Sequence, residues 1–271
     1  MPELPEVEVI RKELIPLLTG QILGTPRIFW PKSFINDATE SISGKSVSDI
    51  GRQGKYLVII LSSGYLVVHL RMTGQLMVVN EKPSEKKHLQ VVIPMKSGKY
   101  LVYFDSRKFG RIIHVDDLKT VLKNTGVDAL SPEFTPELFR MMLKKKNRMI
   151  KSFLMDQSQI AGLGNIYVDE SLFRSGIHPK MISSRISAKK VDKLFNAIRD
   201  TLRNSIGKMG TTISDYKTTG GGFGGYQNYL QVYGKAGKPC PVCGTVIRKI
   251  RMNNRGTHFC PACQKLRRVK R

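Results

Sequence analysis

Acidic residues are scarce in this chain of 271 residues: 21 Asp and Glu stand against 45 Lys and Arg, a formal charge of +24. After Asp215 there is none, while Lys217 to Arg271 carries twelve Lys and Arg. That balance argues against an acidic or generic housekeeping surface and for a polyanionic partner. Long apolar runs are missing too. The longest, Tyr56 to Leu61, has six residues, far short of the ~18 that span a bilayer, so no membrane is expected among the partners. Residues 1–20 hold four Glu and no apolar core, and no export signal is expected there. Cysteine is sparse: four residues, all within the last 32. A secreted disulfide framework would scatter them, so their crowding favours a reducing cytoplasm and a metal site. A hydrophobic content of 41% is enough for ordinary cores, and the length predicts about two domains.

The pattern of residues changes three times along the chain. Pro5 to Leu18 is predicted helical, with Pro5 at a first helical position, Glu6 and Glu8 near the positive end, and Val7, Ile10, Leu14 and Leu17 as a buried stripe. Strands follow at Tyr56–Leu61, Tyr65–Leu70, Leu76–Val79, Leu89–Met95, Tyr100–Phe104 and Arg111–Val115. The turns Ser62-Ser63-Gly64 and Ser97-Gly98-Lys99 imply antiparallel pairing in a sandwich or barrel. From Pro136 to Gly210 the period becomes helical. Ser187 is a candidate cap for a helix whose face is Val191, Leu194, Phe195, Ile198, Leu202 and Ile206. Lys217 to Tyr226 is glycine-rich, and propensity alone leaves it a mobile loop.

Cys240-Pro-Val-Cys243 and Cys260-Pro-Ala-Cys263 have the form C-x2-C-x16-C-x2-C. Two residues between cysteines let both sulfurs face one tetrahedral ion, and the intervening stretch can return as a hairpin. Four thiolates leave no open coordination position, so one structural zinc ion is expected. Lys249, Arg251 and Arg255 lie between the pairs, and Asn253-Asn254-Arg255-Gly256 reads as an exposed turn. At the other end, Met1-Pro2-Glu3-Leu4-Pro5-Glu6 reads most simply as a helix start. If Met1 is removed, Pro2 also supplies a secondary amine, neutral in useful fraction near pH 7. Such amines attack carbon to form Schiff-base intermediates, with Glu3 beside it to move protons.

Pro2-Glu3-Leu4-Pro5-Glu6-Val7-Glu8 resembles the start of the formamidopyrimidine-DNA glycosylases (the Fpg or MutM family), and the cysteine motif with Arg255-Gly256-Thr257-His258 resembles their end. Gly51 to Leu57, Asp105 to Gly110 and Ala161 to Tyr167 match internal blocks of that family in order, so the resemblance covers essentially the whole chain. It implies an α+β multidomain fold. An N-terminal antiparallel β-sandwich with flanking helices (1–130) would precede a C-terminal helical helix–two-turn–helix domain with a lesion loop (131–226). A zinc-finger β-hairpin built on the four cysteines, with a basic tail (227–271), would close the chain.

The resemblance also implies an activity: a bifunctional glycosylase and abasic-site lyase of base excision repair. It would act on oxidised purines such as 8-oxoguanine and formamidopyrimidines, in the bacterial cytoplasm, as a monomer on damaged double-stranded DNA. Pro2 would be the nucleophile and Glu3 the proton-transfer group. Lys55 would stand near the reacting nucleotide and Arg255 on phosphate. Met72, Arg107 and Phe109 match the family's intercalating trio, which fills the gap left by a flipped base. Glu6, His88, Asn147, Lys151 and Asn165 complete the residues the resemblance assigns to DNA, Asn165 also as a helix cap beside bound phosphate.

Two departures stand out. The family's usual His-Asp-His reads His88-Leu89-Gln90, and Asn147 occupies a commonly basic position. Two other functions fit parts of the pattern. Endonuclease VIII-like enzymes share the architecture but usually carry glycine where Leu4 stands. A non-catalytic zinc-dependent nucleic-acid-binding protein would need neither Pro2 nor Glu3.

Overall fold

Helix α1 (Leu4–Leu18) starts one residue ahead of Pro5 in the computed structural model, which describes residues 1–84 and 87–266. Its buried stripe is Leu4, Val7, Ile10, Leu14 and Leu18. Leu18 replaces the expected Leu17, because a true helical period carries the stripe four residues on from Leu14. The helix joins the first of two compact units, Met1–Asn124 with Ile206–Gln227.

In this unit β1 (Arg27–Ile28), β2 (Phe34–Asp37), β3 (Val47–Gln53), β4 (Tyr56–Leu61), β5 (Tyr65–His69), β6 (Gln75–Val79), β7 (Leu89–Pro94), β8 (Tyr100–Phe104) and β9 (Arg111–Val115) form two sheets. Their orders are β1-β7-β8-β6 and β2-β9-β5-β4-β3. One buried cluster takes Leu57, Ile59, Leu66, Val68 and Ile112 from the second sheet and Leu76, Val91, Ile93, Leu101 and Tyr103 from the first, with α1 added. The inner faces therefore share one core, as alternating strands of a sandwich must. The sandwich is not wholly antiparallel: β2 runs parallel to β9, with Phe34 opposite Ile112. The short helix α2 (Lys119–Leu122) follows.

The second unit is Thr125–Ser205 with the segment from Asn228 onward. It contains β10 (Val127–Asp128) paired in parallel with β11 (Ile160–Ala161), then α3 (Pro136–Lys144), α4 (Ile150–Leu154), α5 (Asn165–Ser175) and most of α6 (Ala188–Gly207). Thr135 caps α3 by accepting from the Leu138 amide at 3.2 Å. The face expected of α6 is buried at Val191, Leu194, Phe195, Ile198 and Leu202, and Phe195 packs at 5.1 Å from Phe134. Strands β12 (Arg248–Met252) and β13 (Arg255–Phe259) make the expected hairpin. Its turn is Asn253-Asn254, at φ +47° and +58°, the left-handed pair that a two-residue turn of this kind requires. Arg255 and Gly256 already belong to the strand.

The segment 206–227 thus packs within the sandwich unit, and the cysteine hairpin within the helical unit. This grouping differs from the sequence-based division at 130 and 226. No described helix is long and apolar enough to cross a membrane. Of the basic tail, residues 267–271 lie outside the described residues.

Candidate active site

Pro2 and Glu3 are both buried at the start of α1. Glu6, one turn on, is 1% exposed. Its Oε2 accepts from the Glu3 amide at 2.7 Å and its Oε1 from the Thr211 amide at 2.8 Å. Glu8 accepts from Arg52 of β3 at 2.9 Å, pinning α1 against the strand that leads to Lys55. Lys55, in the β3–β4 turn, is 6% exposed, so it is no solvated strand-end charge. Burial first, then the charges of Arg71 and Lys55, push the His69 pKa down to about 3. The neutral ring accepts from the Arg71 amide at Nδ1, 3.0 Å away, and meets Tyr56 edge-on at 4.7 Å.

The His69 shift fixes a pH dependence. The unfolded histidine titrates near ~6.5, so between there and about pH 3 the unfolded chain binds a proton that the folded one refuses. Stability is therefore expected to fall as pH drops through that window. A His69→Phe variant should show a flatter decline in urea unfolding measured from pH 7 to pH 4.

Two loop tips project beside this cluster. Met72 is 36% and Phe109 50% exposed, and the Arg107 guanidinium lies 5.0 Å from the Phe109 ring centre. Both loops hang on one residue to which the sequence reading gave no role, Asp105. Its carboxylate is 1% exposed. It accepts from the Thr73 hydroxyl in one loop, and from the Arg107 amide at 3.1 Å and the Gly110 amide at 2.7 Å in the other. Tyr103 donates to it from below at 3.4 Å. The same hydroxyl occupies the space that a Cβ at Gly110 would need, so that position admits only glycine. The signal was in the sequence: an Asp two residues before Arg107 and five before Gly110 suits a side chain that caps its own loop. Asp105→Ala leaves these buried donors unmatched. It is expected to cost about 3 kcal/mol in urea unfolding and to weaken duplex binding more than Phe109→Ala does.

A cleft of about 350 Å³ opens beside these loops, lined by Thr73, His88, Asp105, Ser214, Asp215 and Lys217 among others. His88 is exposed there at φ +73°. Gln90, in place of the second histidine, is buried and donates to the His88 and Asp105 carbonyls, both at 3.1 Å. It therefore serves the loop. The glycine-rich segment is an ordered turn: the Thr218 amide donates to the Gly222 carbonyl at 2.9 Å and the Gly222 amide to the Thr218 hydroxyl at 3.1 Å. Local propensity missed this because the anchor of the turn, Glu13 Oε2 accepting from the Thr219 amide at 2.7 Å, lies 206 residues away in sequence.

In the second unit, Cys240, Cys243, Cys260 and Cys263 hold their sulfurs within 4.8 Å of one another. Neighbouring Sγ atoms are 3.5–3.9 Å apart, against the roughly 3.8 Å edge of a tetrahedron with ~2.3 Å zinc–sulfur bonds. Arg255 is exposed at the start of β13. The carbonyl of Gly256, next to it, accepts from Asn165 Nδ2 at 2.9 Å and from Lys151 Nζ at 3.3 Å. Lys151 pairs with Asp169 at 2.6 Å, and Asp169 also accepts from the His258 amide at 2.8 Å.

Comparison with known proteins matches the formamidopyrimidine-DNA glycosylase N-terminal domain at residues 1–112, the H2TH domain of the same enzymes at 125–217, and a zinc finger found in FPG and IleRS at 237–266. A formamidopyrimidine-DNA glycosylase of Pelotomaculum thermopropionicum is 40% identical, covering 98% of this chain and 100% of its own. One from Lactobacillus helveticus is 42% identical, over 97% and 99%. The chain belongs to the formamidopyrimidine-DNA glycosylase family. Among solved members of that family, a mutant Lactococcus lactis FPG in complex with Fapy-dG containing DNA superposes with a TM-score of 0.88 at 34% identity, covering 98% of this chain and 100% of that one. MutM (FPG) from Thermus thermophilus gives 0.87 at 35%, covering 97% and 98%.

As in other glycosylases of the family, the four cysteines form a structural zinc centre. The ion would clamp the two knuckles that carry β12 and β13, leaving no coordination position for chemistry. Three of the residues assigned to DNA are engaged within the protein. Glu6 is buried and accepts from the Glu3 and Thr211 amides. Lys151 is 2% exposed and spent on Asp169 and Gly256, because a buried ammonium needs a partner. Asn165 is the first residue of α5, whose cap is Gly164; its side chain reaches the hairpin instead. Asn147 is exposed with Lys144, Lys145 and Lys146, and accepts from the Ser184 hydroxyl at 3.3 Å. Pro2, Glu3, Lys55, Met72, His88, Arg107 and Phe109 fall in the first unit, and Arg255, Asn147, Lys151, Asn165 and the cysteines in the second.

Proposed function

We propose that this chain excises oxidised purines from double-stranded DNA and then cleaves the abasic strand, acting as a monomer through Pro2 and Glu3. The reading rests above all on one juxtaposition: a potential secondary amine and a buried carboxyl share the first residues of α1, within the unit that also projects Met72, Arg107 and Phe109. Once Met1 is removed, the Pro2 nitrogen attacks C1′ of an extruded nucleotide. The base departs with the glycosidic electron pair, and the amine loses its proton. Glu3 moves protons as the sugar ring opens to an iminium. The positive iminium acidifies the adjacent C–H, so elimination breaks the C3′–O bond and then the C5′–O bond.

Extrusion is required because the target carbon is inaccessible in the stack, and the exposed Met72 and Phe109 suit the gap it leaves. Lys55 and Arg255 supply positive charge to the sugar–phosphate, and Asn147, with its lysine neighbours, binds backbone. Relatives solved with Fapy-dG DNA and with abasic-site DNA support both halves of the reaction, and Leu4 supports the purine branch. The test is strand cleavage on paired duplexes carrying 8-oxoguanine opposite cytosine or an oxidised pyrimidine. Faster cleavage of the purine lesion is expected, and cleavage of the pyrimidine lesion alone would move the chain to the endonuclease VIII-like branch.

A further inference from the structure

Helix α1 grips the segment 208–224 at three successive points. Near its start, Glu6 accepts from the Thr211 amide at 2.8 Å. Midway, Tyr216 is 6% exposed within the sandwich core. Burial, with the Glu6 and Glu13 carboxylates beside it, drives its phenol further from ionisation. Farther along, Glu13 accepts at a single oxygen, Oε2, from the Thr219 amide at 2.7 Å and the Thr219 hydroxyl at 2.6 Å. Beyond that point the chain turns on itself through Thr218 and Gly222. It comes back to the start of the segment where the Gly224 amide donates to the Thr212 hydroxyl at 2.8 Å. A Cβ added at Gly224 would collide with the Gly210 carbonyl, so the return strand is held tight. The stretch just before Thr219, from Ser214 to Lys217, is one wall of the cleft whose other wall is Thr73 and Asp105, and Gln75 donates to the Asp215 carbonyl at 3.3 Å.

Glu13 is half-buried in a chain where Lys and Arg outnumber Asp and Glu by 45 to 21. A carboxylate facing a phosphate polyanion opposes binding, whereas one accepting two short hydrogen bonds from a glycine-rich loop fixes that loop. The loop has four glycines in its turn and little propensity of its own to hold a shape, so its conformation must be imposed by such contacts. We infer that Glu13 is a positioning residue that, by holding Thr219 and the 217–224 loop, sets the adjoining wall from Ser214 to Lys217 against the extruded base, so that base release depends on it while cleavage of a strand already lacking the base does not. This rests on the excision reading proposed above.

The experiment compares wild type, Glu13→Ala, Glu13→Gln and Thr219→Val, each without Met1, on one duplex carrying 8-oxoguanine and on the same duplex with a preformed abasic site. For Glu13→Ala the single-turnover rate of base release should fall about tenfold or more, with abasic-strand cleavage and duplex affinity unchanged. Glu13→Gln keeps an oxygen able to accept from both Thr219 groups and should retain most of the wild-type rate. Thr219→Val, which loses only the hydroxyl, should fall between. Abasic cleavage uses Pro2, two residues ahead of the same helix, so it also reports whether α1 is intact in each variant. Base release by Glu13→Ala at the wild-type rate would overturn the inference, and so would an equal loss in both reactions, because the effect would then lie in α1. A wild-type protein that cleaves the abasic strand yet releases no purine would overturn the excision reading itself and this inference with it.

Discussion

Borohydride reduction of a reaction between the Met1-free protein and an 8-oxoguanine·cytosine duplex is expected to give a covalent protein–DNA complex, and Pro2→Gly to give sharply less of it. Leaving Met1 in place should abolish the complex. With Met1 attached, the Pro2 nitrogen is a tertiary amide whose lone pair is delocalised into the carbonyl, and it cannot form an iminium. Glycine restores an amine, but it replaces a rigid ring, buried against α1, with a flexible primary amine that must be ordered before each attack. Glu3→Gln keeps the shape and removes the titrating proton, so turnover is expected to drop about 10²–10⁴-fold. Glu3 stands at the N-cap position of α1 with its amide held by Glu6 at 2.7 Å, and that bond survives the substitution. The measurement is gel mobility of the reduced complex; no complex from the Met1-free wild type would remove Pro2 from the mechanism.

Duplex affinity is expected to collapse with salt. Neutralising six to ten phosphates releases as many condensed counterions, and affinity then falls about 10³–10⁵-fold between roughly 50 and 200 mM salt. The exposed Lys144, Lys145, Lys146 and Arg255 are the charges to substitute. Each Lys→Ala change that removes a phosphate contact should lower the slope of log affinity against log salt by about one. Lys151→Met should leave that slope alone, because Lys151 is sealed against Asp169 at 2.6 Å. A flat salt response in titrations followed by fluorescence anisotropy would count against a duplex-binding basic face.

The contrast between Lys151 and its neighbours shows where sequence stops informing. Strand runs such as Tyr56–Leu61, Tyr100–Phe104 and Arg111–Val115 were readable to the residue, because β-branched and aromatic runs bounded by turn residues have few alternatives. The cysteine spacing carried its own geometry. The strands β1, β2 and β3 went unassigned: β2 depends on parallel pairing with β9 some 78 residues away, at Phe34–Ile112, and nothing local marks that. Charged residues were the weakest point. The burial of Glu6 and Lys151 depends on Thr211 and Asp169, 205 and 18 residues away in the chain, and a one-dimensional pattern records only that they are charged. Asp105 was visible within a family block, yet its role emerged only when the two loops it holds were seen to share one carboxylate.

Helix α1 also works as a ruler. Ten residues at about 1.5 Å each separate Glu3 from Glu13, roughly 15 Å of rigid rod. The end that carries Pro2 and the point that grips the loop are thus fixed in distance and in rotational phase, with no soft backbone between them. The loop sequence can therefore vary while the Pro2 end keeps its place. Insertions or deletions within the rod are closed to such drift, since each would turn Glu13 by about 100° away from Thr219.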